Sequence, residues 1–545
     1  MTKYKIIFGI VFCGVLFSFS PVGNYFEIAK NLDIFATLYK EVNTYYVDDV
    51  DPEKMIGTGI KAMLESLDPY TNYIPEEDLA EYRTMTTGEY AGIGSLIGKV
   101  GEKNMITMPN AGFPADKAGI KIGDELIAVD GVNVKESSTS DISKLLKGKA
   151  HTKVVVTVKR FGIDKPFDIS IIRGKITLNN VVYFGMVSNN IGYIQLGDFT
   201  TNATKEVLRA LKQLKSKGAE SFVLDVRGNP GGLLHEAVNI CNLFISKGNE
   251  IVSTRGKVKD WNKTYKTLNS PFDTKVPLVV LTNSGSASAA EIVAGVIQDY
   301  DRGVIIGRRT FGKGLVQTTR PLTYNAQLKV TTAKYYTPSG RCIQALDYSH
   351  RNDDGSVGSI PDSLKTTYYT SNGRTVYDGG GINPDITVEN ELLAPITISL
   401  LQKGYIFEYA SKYYFEHDQI GEAADFSFTD DNFNEFTNWL SDFDYDYTTQ
   451  VEKNMETLID NAKSENYYSE IENSIIELQK KISHNKNTDL LSNKKQISSI
   501  LEESIASRYY LVPGEIEASF DNDPDLKAAI QVLSDPINYS KILNN

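Results

Sequence analysis

Two small-residue loops, each placed after an apolar strand, carry side chains that could do chemistry. The first holds Ser284, Ser286 and Ser288 between the apolar run 277–281 and a helix predicted over 289–300. A serine at a helix N-terminus lies where free backbone N–H groups and the helix dipole could stabilise a developing oxyanion. Serines also commonly cap helices. The residue types alone therefore decide neither between capping and catalysis nor among the three serines.

A lysine that could activate a serine follows the next predicted strand. Lys313 stands between Gly312 and Gly314, after the apolar segment 303–307. A free lysine has a pKa of about 10.4, and burial can lower this value until the amine serves as a base. Gln317 could hydrogen-bond the amine and hold it in place. The alternative is a solvated or phosphate-contacting surface lysine.

A second glycine loop, 225–232, also joins an apolar strand to a predicted helix. Its backbone N–H groups could form the other half of an oxyanion hole or cradle a phosphate. Because the loop lacks the Gly-Lys-Ser/Thr ending of a nucleotide-binding loop, nucleotide binding is disfavoured. His235 lies just beyond the loop, so a Ser–His pair is an alternative, although 234–236 should already be helical.

The elements that must position these residues change character along the chain. Residues 27–87 show helical spacing of apolar side chains, and 88–172 are glycine-rich with short β-branched runs. From 173 to 388, apolar strands alternate with helices, which predicts a sheet covered by helices. Residues 389–545 are helical and carry 29 acidic against 12 basic residues.

The N-terminus has the pattern of an export signal. Lys3 and Lys5 precede the apolar run 6–17. Read as far as Phe26, the segment approaches the length of a bilayer span. We interpret residues 1–26 as a signal peptide or membrane anchor, with a buried helix of a cytosolic domain as the alternative. The bulk of the chain is then exported, to the periplasm or cell envelope.

Composition excludes several classes of protein. The 545 residues are 41% hydrophobic and 23% charged, which is ordinary for globular domains, and the net charge of −12 argues against nucleic-acid binding. Three cysteines cannot form a disulfide scaffold, and we expect Cys241 and Cys342 to be free thiols. The five scattered histidines and the lack of a CxxC motif give no support for a metal site.

Taken together, the motifs resemble one family, the C-terminal processing peptidases, which are serine endopeptidases with a PDZ domain inserted before the catalytic core. The resemblance covers residues 27–388 and rests on six segments: 90–94, 118–131, 225–232, 286–292, 311–317 and 380–385. It implies an α/β multidomain fold with a helical N-terminal segment, a PDZ domain, a crotonase-like or ClpP-like α/β peptidase core and a helical C-terminal extension. The expected boundaries are 27–87, 88–172, 173–388 and 389–545.

The resemblance also implies a role for individual residues. Ser288 matches the nucleophile, Lys313 the general base 25 residues later, and Gln317 the residue that orients the lysine. Asp299 matches an aspartate that supports catalysis in some members, although a structural carboxylate at a helix end explains it equally well. Ala290 stands where many relatives have a third serine, and catalysis should survive that departure.

The implied oxyanion hole combines the N–H of Ala289 with one from Gly231 or Gly232. No metal or organic cofactor is implied. In the PDZ domain, the loop Gly92-Ile93-Gly94 is the candidate site for a peptide carboxylate. The alternative for that loop is a glycine β-bulge that merely turns the chain.

The resulting hypothesis is an exported serine endopeptidase with a Ser–Lys dyad, whose substrates are proteins with apolar C-terminal tails. Tail docking could also switch the site between inactive and active arrangements. An adaptor or a second copy of the chain is a candidate partner, and membrane contact is expected only through the N-terminal segment. Two alternatives are a catalytically silent PDZ scaffold and an acyl enzyme of the related crotonase-like core. The resemblance does not extend to residues 389–545 and therefore assigns no function to them.

Overall fold

The computed structural model describes residues 22–389, 392–482 and 486–544. They form two compact units: the smaller holds residues up to 74 together with 319–330, and the larger holds the remainder. Within the described ranges, no helix is both long and apolar enough to cross a membrane. The expected export segment, 1–26, falls almost wholly outside these ranges and stays a prediction.

The part of the smaller unit that the structure describes contains two helices, α1 (Val22–Tyr45) and α2 (Pro52–Glu65). Asp51 caps α2 by accepting hydrogen bonds from two backbone N–H groups of its first turn. Strand β1 (Asn72–Ile74) then pairs antiparallel with the beginning of β18 (Gln327–Tyr336). The helical N-terminal segment expected from the sequence is confirmed.

In the larger unit, the region expected to be a PDZ domain is an antiparallel sheet with the strand order β3-β4-β5-β7-β8. Asp130 and Gly131 both adopt positive φ and turn β5 into the short β6, which is the geometry that an Asp-Gly pair favours. Helix α5 buries Ile142 and Leu146 in the core of this region. The elements, after α3 (Leu79–Thr87), are β2 (Glu89–Gly92), β3 (Ser95–Val100), β4 (Lys103–Pro109), α4 (Pro114–Lys117), β5 (Glu125–Val129), β6 (Val132–Asn133), α5 (Thr139–Leu146), β7 (Lys153–Lys159), β8 (Phe167–Ile172) and β9 (Gly174–Thr177).

The next region is built on a six-stranded sheet with the order β10-β11-β12-β15-β16-β21, parallel except for β10. Every residue of β12, β15 and β16 is buried, as expected when helices cover both faces. The alternation of strands and helices is thus confirmed. The elements are β10 (Val181–Met186), β11 (Ile191–Leu196), α6 (Ala203–Ser216), β12 (Ser221–Asp225), α7 (Leu234–Phe244), β15 (Leu278–Thr282), α8 (Ala289–Asp299), β16 (Val304–Gly307) and β21 (Ile386–Thr387).

The two faces of this sheet are covered by different parts of the chain. Phe222 and Leu224 share a core with α6, α7 and α8, whereas Val223 between them shares another with α16 (Pro524–Ser534). Since side chains alternate along a strand, these cores lie on opposite faces. The last helices of the C-terminal region therefore complete the core of the sheet.

A second sheet contains β13 (Glu250–Gly256), β14 (Lys263–Lys266), β17 (Leu315–Pro321) and β18, with β13 between β14 and β18. A separate hairpin joins β19 (Thr367–Tyr369) to β20 (Thr375–Tyr377). Cys241 and Cys342 are both free thiols, as expected.

The C-terminal extension is helical, as expected. The stretch 450–482 holds two helices, because Asn466 adopts a positive φ between them. The long α15 is kinked at Leu511, two residues before Pro513. The helices are α9 (Pro395–Gln402), α10 (Tyr405–Glu416), α11 (Asp430–Leu440), α12 (Gln450–Ser464), α13 (Tyr468–Ile482), α14 (Lys486–Ser492), α15 (Lys494–Ser519), α16 and α17 (Pro536–Asn544).

Candidate active site

The parallel strands β12, β15 and β16 are neighbours, so the loops that follow them emerge at one edge of the sheet. Asp225 pairs with Leu281, and Thr282 pairs with Gly307, at the carboxyl ends of these strands. The three loops are those singled out from the sequence: the glycine loop 226–232, the serine loop 283–288 and the lysine loop 308–314. Ligands of such sheets bind at this edge, and the candidate active site forms here.

The three serines of the serine loop have different surroundings. Ser284 is exposed, whereas Ser286 is fully buried and donates its hydroxyl to the carbonyl of Val226 over 2.7 Å. Ser288 is half-buried and takes the N-cap position of α8, with φ 54° and ψ −110°. A non-glycine residue at positive φ is strained by about 1–3 kcal/mol and persists only when its surroundings hold it. Such strain at a helix N-terminus is typical of a functional position.

Glu291, in the first turn of α8, fastens the serine loop to the lysine loop. Its Oε2 accepts hydrogen bonds from the backbone N–H groups of Ser288 and Lys313, both at 2.8 Å. Its Oε1 accepts from the Gly312 N–H at 2.7 Å and from the Thr310 hydroxyl at 2.6 Å. The carboxylate is completely buried, and this burial raises its pKa against the four hydrogen bonds, which favour the charged form.

Tyr335, on β18, makes a second bridge between the same two loops. Its hydroxyl lies 3.1 Å from the carbonyl oxygen of Ser288 and 2.7 Å from that of Lys313. Burial raises the pKa of this phenol well above 10, with a further contribution from Glu291, so the hydroxyl remains a donor. The backbones of Ser288 and Lys313 are therefore held by the same two side chains.

The glycines beside Lys313 are required by close packing. A Cβ on Gly312, which has φ 87°, would lie 2.4 Å from the Cβ of Ala345. A Cβ on Gly314 would lie 2.8 Å from the backbone nitrogen of Gln344. Lys313 itself is half-buried, which disfavours the solvated surface lysine. Gln317, on β17, donates its side-chain amide to the Thr331 hydroxyl of β18 over 3.1 Å.

The glycine loop lies directly against the serine loop. A Cβ on Gly231, which has φ 101°, would lie 2.7–2.9 Å from atoms of Ala287, Ser288 and Ala289. The Gly231 N–H donates to the Asn229 side chain within its own loop over 2.8 Å. Gly232 has φ 144°, and a Cβ there would lie 2.5 Å from the Phe199 carbonyl oxygen. Gly231 therefore allows the close approach to Ser288, and Gly232 allows the loop to pack against Phe199.

Asp299 is not brought to Ser288. It ends α8, eleven residues from Ser288, a separation of roughly 16 Å along a helix. Its carboxylate accepts from Arg341 at 2.7 Å and from the Ser339 N–H at 3.0 Å. These contacts agree with the structural carboxylate at a helix end. His235, the other alternative, lies in α7 with its side chain 63% exposed and 3.9 Å from Glu236.

The loop Gly92-Ile93-Gly94, the candidate binding site for a peptide carboxylate, immediately precedes β3, an edge strand of its sheet. Gly92 pairs with Gly174, Ile93 is buried and its carbonyl accepts from the Ala115 N–H, and Gly94 has φ 74°. Among the described residues, β3 pairs with β4 alone, which leaves its other edge open beside α5. An extended peptide could add to that edge.

Several residues near the site are not predicted from the sequence. Glu291 follows Ser288 at the spacing of a capping box, Ser-x-x-Glu, and that pattern could have marked it. Tyr335 and the C-terminal Asp523 and Asp525, which bind Arg227 of the glycine loop, carry no local signal. Burial alone would lower the pKa of Arg227, but Asp225 and Asp523 raise it overall.

Comparison with known proteins covers three parts of the chain. The family model described as peptidase family S41 matches residues 190–349, and a PDZ domain model matches 105–160. A model described as the C-terminal helical domain of a probable PDZ-protease matches 396–533. Among solved structures, the photosystem II D1 C-terminal processing protease covers 66% of this chain and 93% of its own, with 29% identity and a TM-score of 0.36.

Two curated relatives match over most of their own length. A carboxy-terminal-processing protease of Bartonella bacilliformis is 39% identical over 321 residues, which are 58% of this chain and 73% of that protein. The carboxy-terminal processing protease CtpA of Bacillus subtilis is 34% identical over 358 residues, or 65% and 74% respectively. The chain therefore belongs to peptidase family S41, as a C-terminal processing serine peptidase with a PDZ domain.

Proposed function

We propose that the protein cleaves peptide bonds with Ser288 as nucleophile and Lys313 as general base, on substrates selected by their C-terminal tails. The observation that carries this proposal is the double bridge between the two residues. Glu291 holds both N–H groups, and Tyr335 contacts both carbonyl oxygens. Such fixed placement is what a nucleophile and its base require.

In this mechanism, the neutral amine of Lys313 takes the hydroxyl proton of Ser288 as the oxygen attacks the substrate carbonyl. The N–H of Ala289, the first residue of α8, stabilises the oxyanion together with the glycine loop. We assign that second donor to Gly232, since the Gly231 N–H is already donated to Asn229. The Lys313 ammonium then protonates the leaving amine, and water hydrolyses the acyl-enzyme. Gln317 orients the lysine.

Selection of the substrate is assigned to the PDZ domain. The tail would add as a strand to the open edge of β3, with its carboxylate at the loop Gly92-Ile93-Gly94. An apolar final side chain would lie towards α5. Export to the periplasm or cell envelope through residues 1–26, and an adaptor or second copy as partner, are further parts of this proposal.

The test is cleavage of an unstructured protein by the full chain, with an apolar or a charged C-terminal tail. Ser288→Ala and Lys313→Ala should each lower kcat by at least a thousandfold, whereas Ser284→Ala, the matched control in the same loop, should keep it. The apolar tail should lower KM. Full activity of Lys313→Ala would overturn the dyad, and tail binding without cleavage by the wild type would favour a scaffold.

A further inference from the structure

Arg227, in the glycine loop, binds the neighbouring Asp225 and two carboxylates of the distant C-terminal region. Its Nη2 donates to Asp225 and to Asp523, both at 2.6 Å, and its Nη1 donates to Asp523 at 3.0 Å and to Asp525 at 2.9 Å. Asp523 is the N-cap of α16 and Asp525 lies in its first turn. The C-terminal helices therefore complete the surroundings of Arg227.

The backbone on either side of Arg227 is fastened to the serine loop. The Val226 carbonyl accepts from the Ser286 hydroxyl at 2.7 Å, and the Gly228 N–H donates to the Asn283 side chain at 2.9 Å. The Asn229 carbonyl accepts from the Ala287 N–H at 2.9 Å. A displacement of Arg227 would therefore be transmitted to the strained turn that carries Ser288.

Asp525, one of the carboxylates that bind Arg227, is a buried charge at a position where an apolar residue would be expected if the contact were only structural. Asp525 is 2% exposed, and its Oδ1 has no hydrogen-bond partner in the part of the chain that the structure describes. Its other oxygen, Oδ2, lies 3.5 Å from Arg308 as well as 2.9 Å from Arg227. A helix that only covered the sheet would be at least as stable with a well-packed apolar residue here. The buried carboxylate is better explained by the orientation that it imposes on the guanidinium.

We propose that Asp523 and Asp525 are positioning residues of the peptidase, which hold the glycine loop against Ser288 through Arg227. The inference rests on the proposed function of that site. It assigns a role to the C-terminal helical region, because the first turn of α16 supplies two of the carboxylates that hold Arg227 of the glycine loop. The fork-shaped guanidinium suits this role because Asp225 occupies one edge and the C-terminal pair the other.

The test compares Asp523→Asn and Asp525→Asn with two matched controls in the full chain. Asparagine is as good an N-cap as aspartate, so Asp523→Asn removes the charge and keeps the cap. Asp521→Asn removes an exposed charge two residues away. Tyr539, in α17, hydrogen-bonds the backbone of Leu278 in the sheet. Tyr539→Phe therefore weakens the contact between the C-terminal helices and the sheet without changing Arg227.

We expect both Arg227-facing variants to lower kcat at least tenfold, with KM and tail affinity unchanged, and Asp525→Glu to restore part of the loss. Amide hydrogen exchange in 226–232 should be at least tenfold faster than in the controls. An unchanged kcat, or an equal loss in Tyr539→Phe, would overturn the inference. If the wild type fails to cleave, the proposed function fails, while unaltered loop exchange in the variants would still overturn the positioning role.

Discussion

Glu291 binds both the serine loop and the lysine loop, and its surroundings explain why a carboxylate is needed. Four donors, one from the serine loop and three from the lysine loop, point at its two oxygens. A charged acceptor makes stronger hydrogen bonds than a neutral one. A neutral amide of the same shape would present an N–H group to two of these donors.

We therefore expect Glu291→Gln to lower kcat by about tenfold to a hundredfold, which corresponds to the roughly 1.5–3 kcal/mol of one or two hydrogen bonds to a charge. Tail affinity should not change, because the PDZ groove is not touched. Steady-state kinetics and a tail-binding titration check this result. Wild-type kcat in the variant would show that the bridge does not position the loops.

Gly231 gives a second prediction at the residue scale. Gly231→Ala places a methyl group within 3 Å of Ser288 and Ala289, whereas Gly228→Ala, also at positive φ, meets open space. Both variants pay the backbone strain, but only the first displaces the serine loop. Active-site labelling by a fluorophosphonate should slow at least tenfold for Gly231→Ala alone. Equal slowing in both would assign the effect to backbone strain.

At the scale of elements, the kinked helix α15 connects the C-terminal bundle to the peptidase sheet. Its first part packs among α9, α10 and α11, and Glu517 beyond the kink accepts from the Tyr183 hydroxyl on β10 at 2.9 Å. Glu503 lies in this helix, near Glu502 and Glu515. Burial, and then the charges of Glu515, Glu502 and Asp523, raise the pKa of Glu503 to about 7.

This shift predicts how stability depends on pH. The folded protein keeps the Glu503 proton up to about pH 7, whereas the unfolded chain loses it near 4.3. The free energy of unfolding should therefore fall between about pH 4.3 and 7, by at most about 4 kcal/mol. Glu503→Gln should remove that slope in urea unfolding, and the exposed Glu470→Gln should not. An unaltered slope would show that Glu503 ionises normally.

At the scale of the whole molecule, the peptidase core depends on the C-terminus of the chain. Leu526 and Ala529 of α16 are fully buried against Val223, Val279 and Ile306 of the sheet. The C-terminal extension is therefore part of the folding unit that carries the site. Without α16, this apolar face of the sheet would be exposed to water, which would destabilise the fold.

We expect Leu526→Ala to lower the free energy of unfolding by about 2–5 kcal/mol, through lost burial and the cavity left behind. Loss of activity and loss of secondary structure should coincide in urea. Ile537→Ala, on the exposed side of α17 at 84% exposure, should change stability by less than about 0.5 kcal/mol. Retention of a folded, active core after the C-terminal helices melt would contradict a shared folding unit.

Local pattern determined most of the elements, because the period of apolar residues and the turn residues act within a few positions. The strand 221–225, the helix from Ala289 and the Asp-Gly turn at Asp130 follow from such patterns. The resemblance singled out Ser288 and Lys313 from two short motifs, 286–292 and 311–317. Those assignments depend on residues close in sequence.

Only the tertiary structure decided which distant residues complete the site. Tyr335 reaches Ser288 from 47 residues away, and Asp523 reaches Arg227 from 296 residues away. No local period records such a contact, because it depends on how sheets and helices pack rather than on neighbouring side chains. The same reason separates Asp299 from Ser288: eleven residues that are close in sequence become opposite ends of one rigid helix.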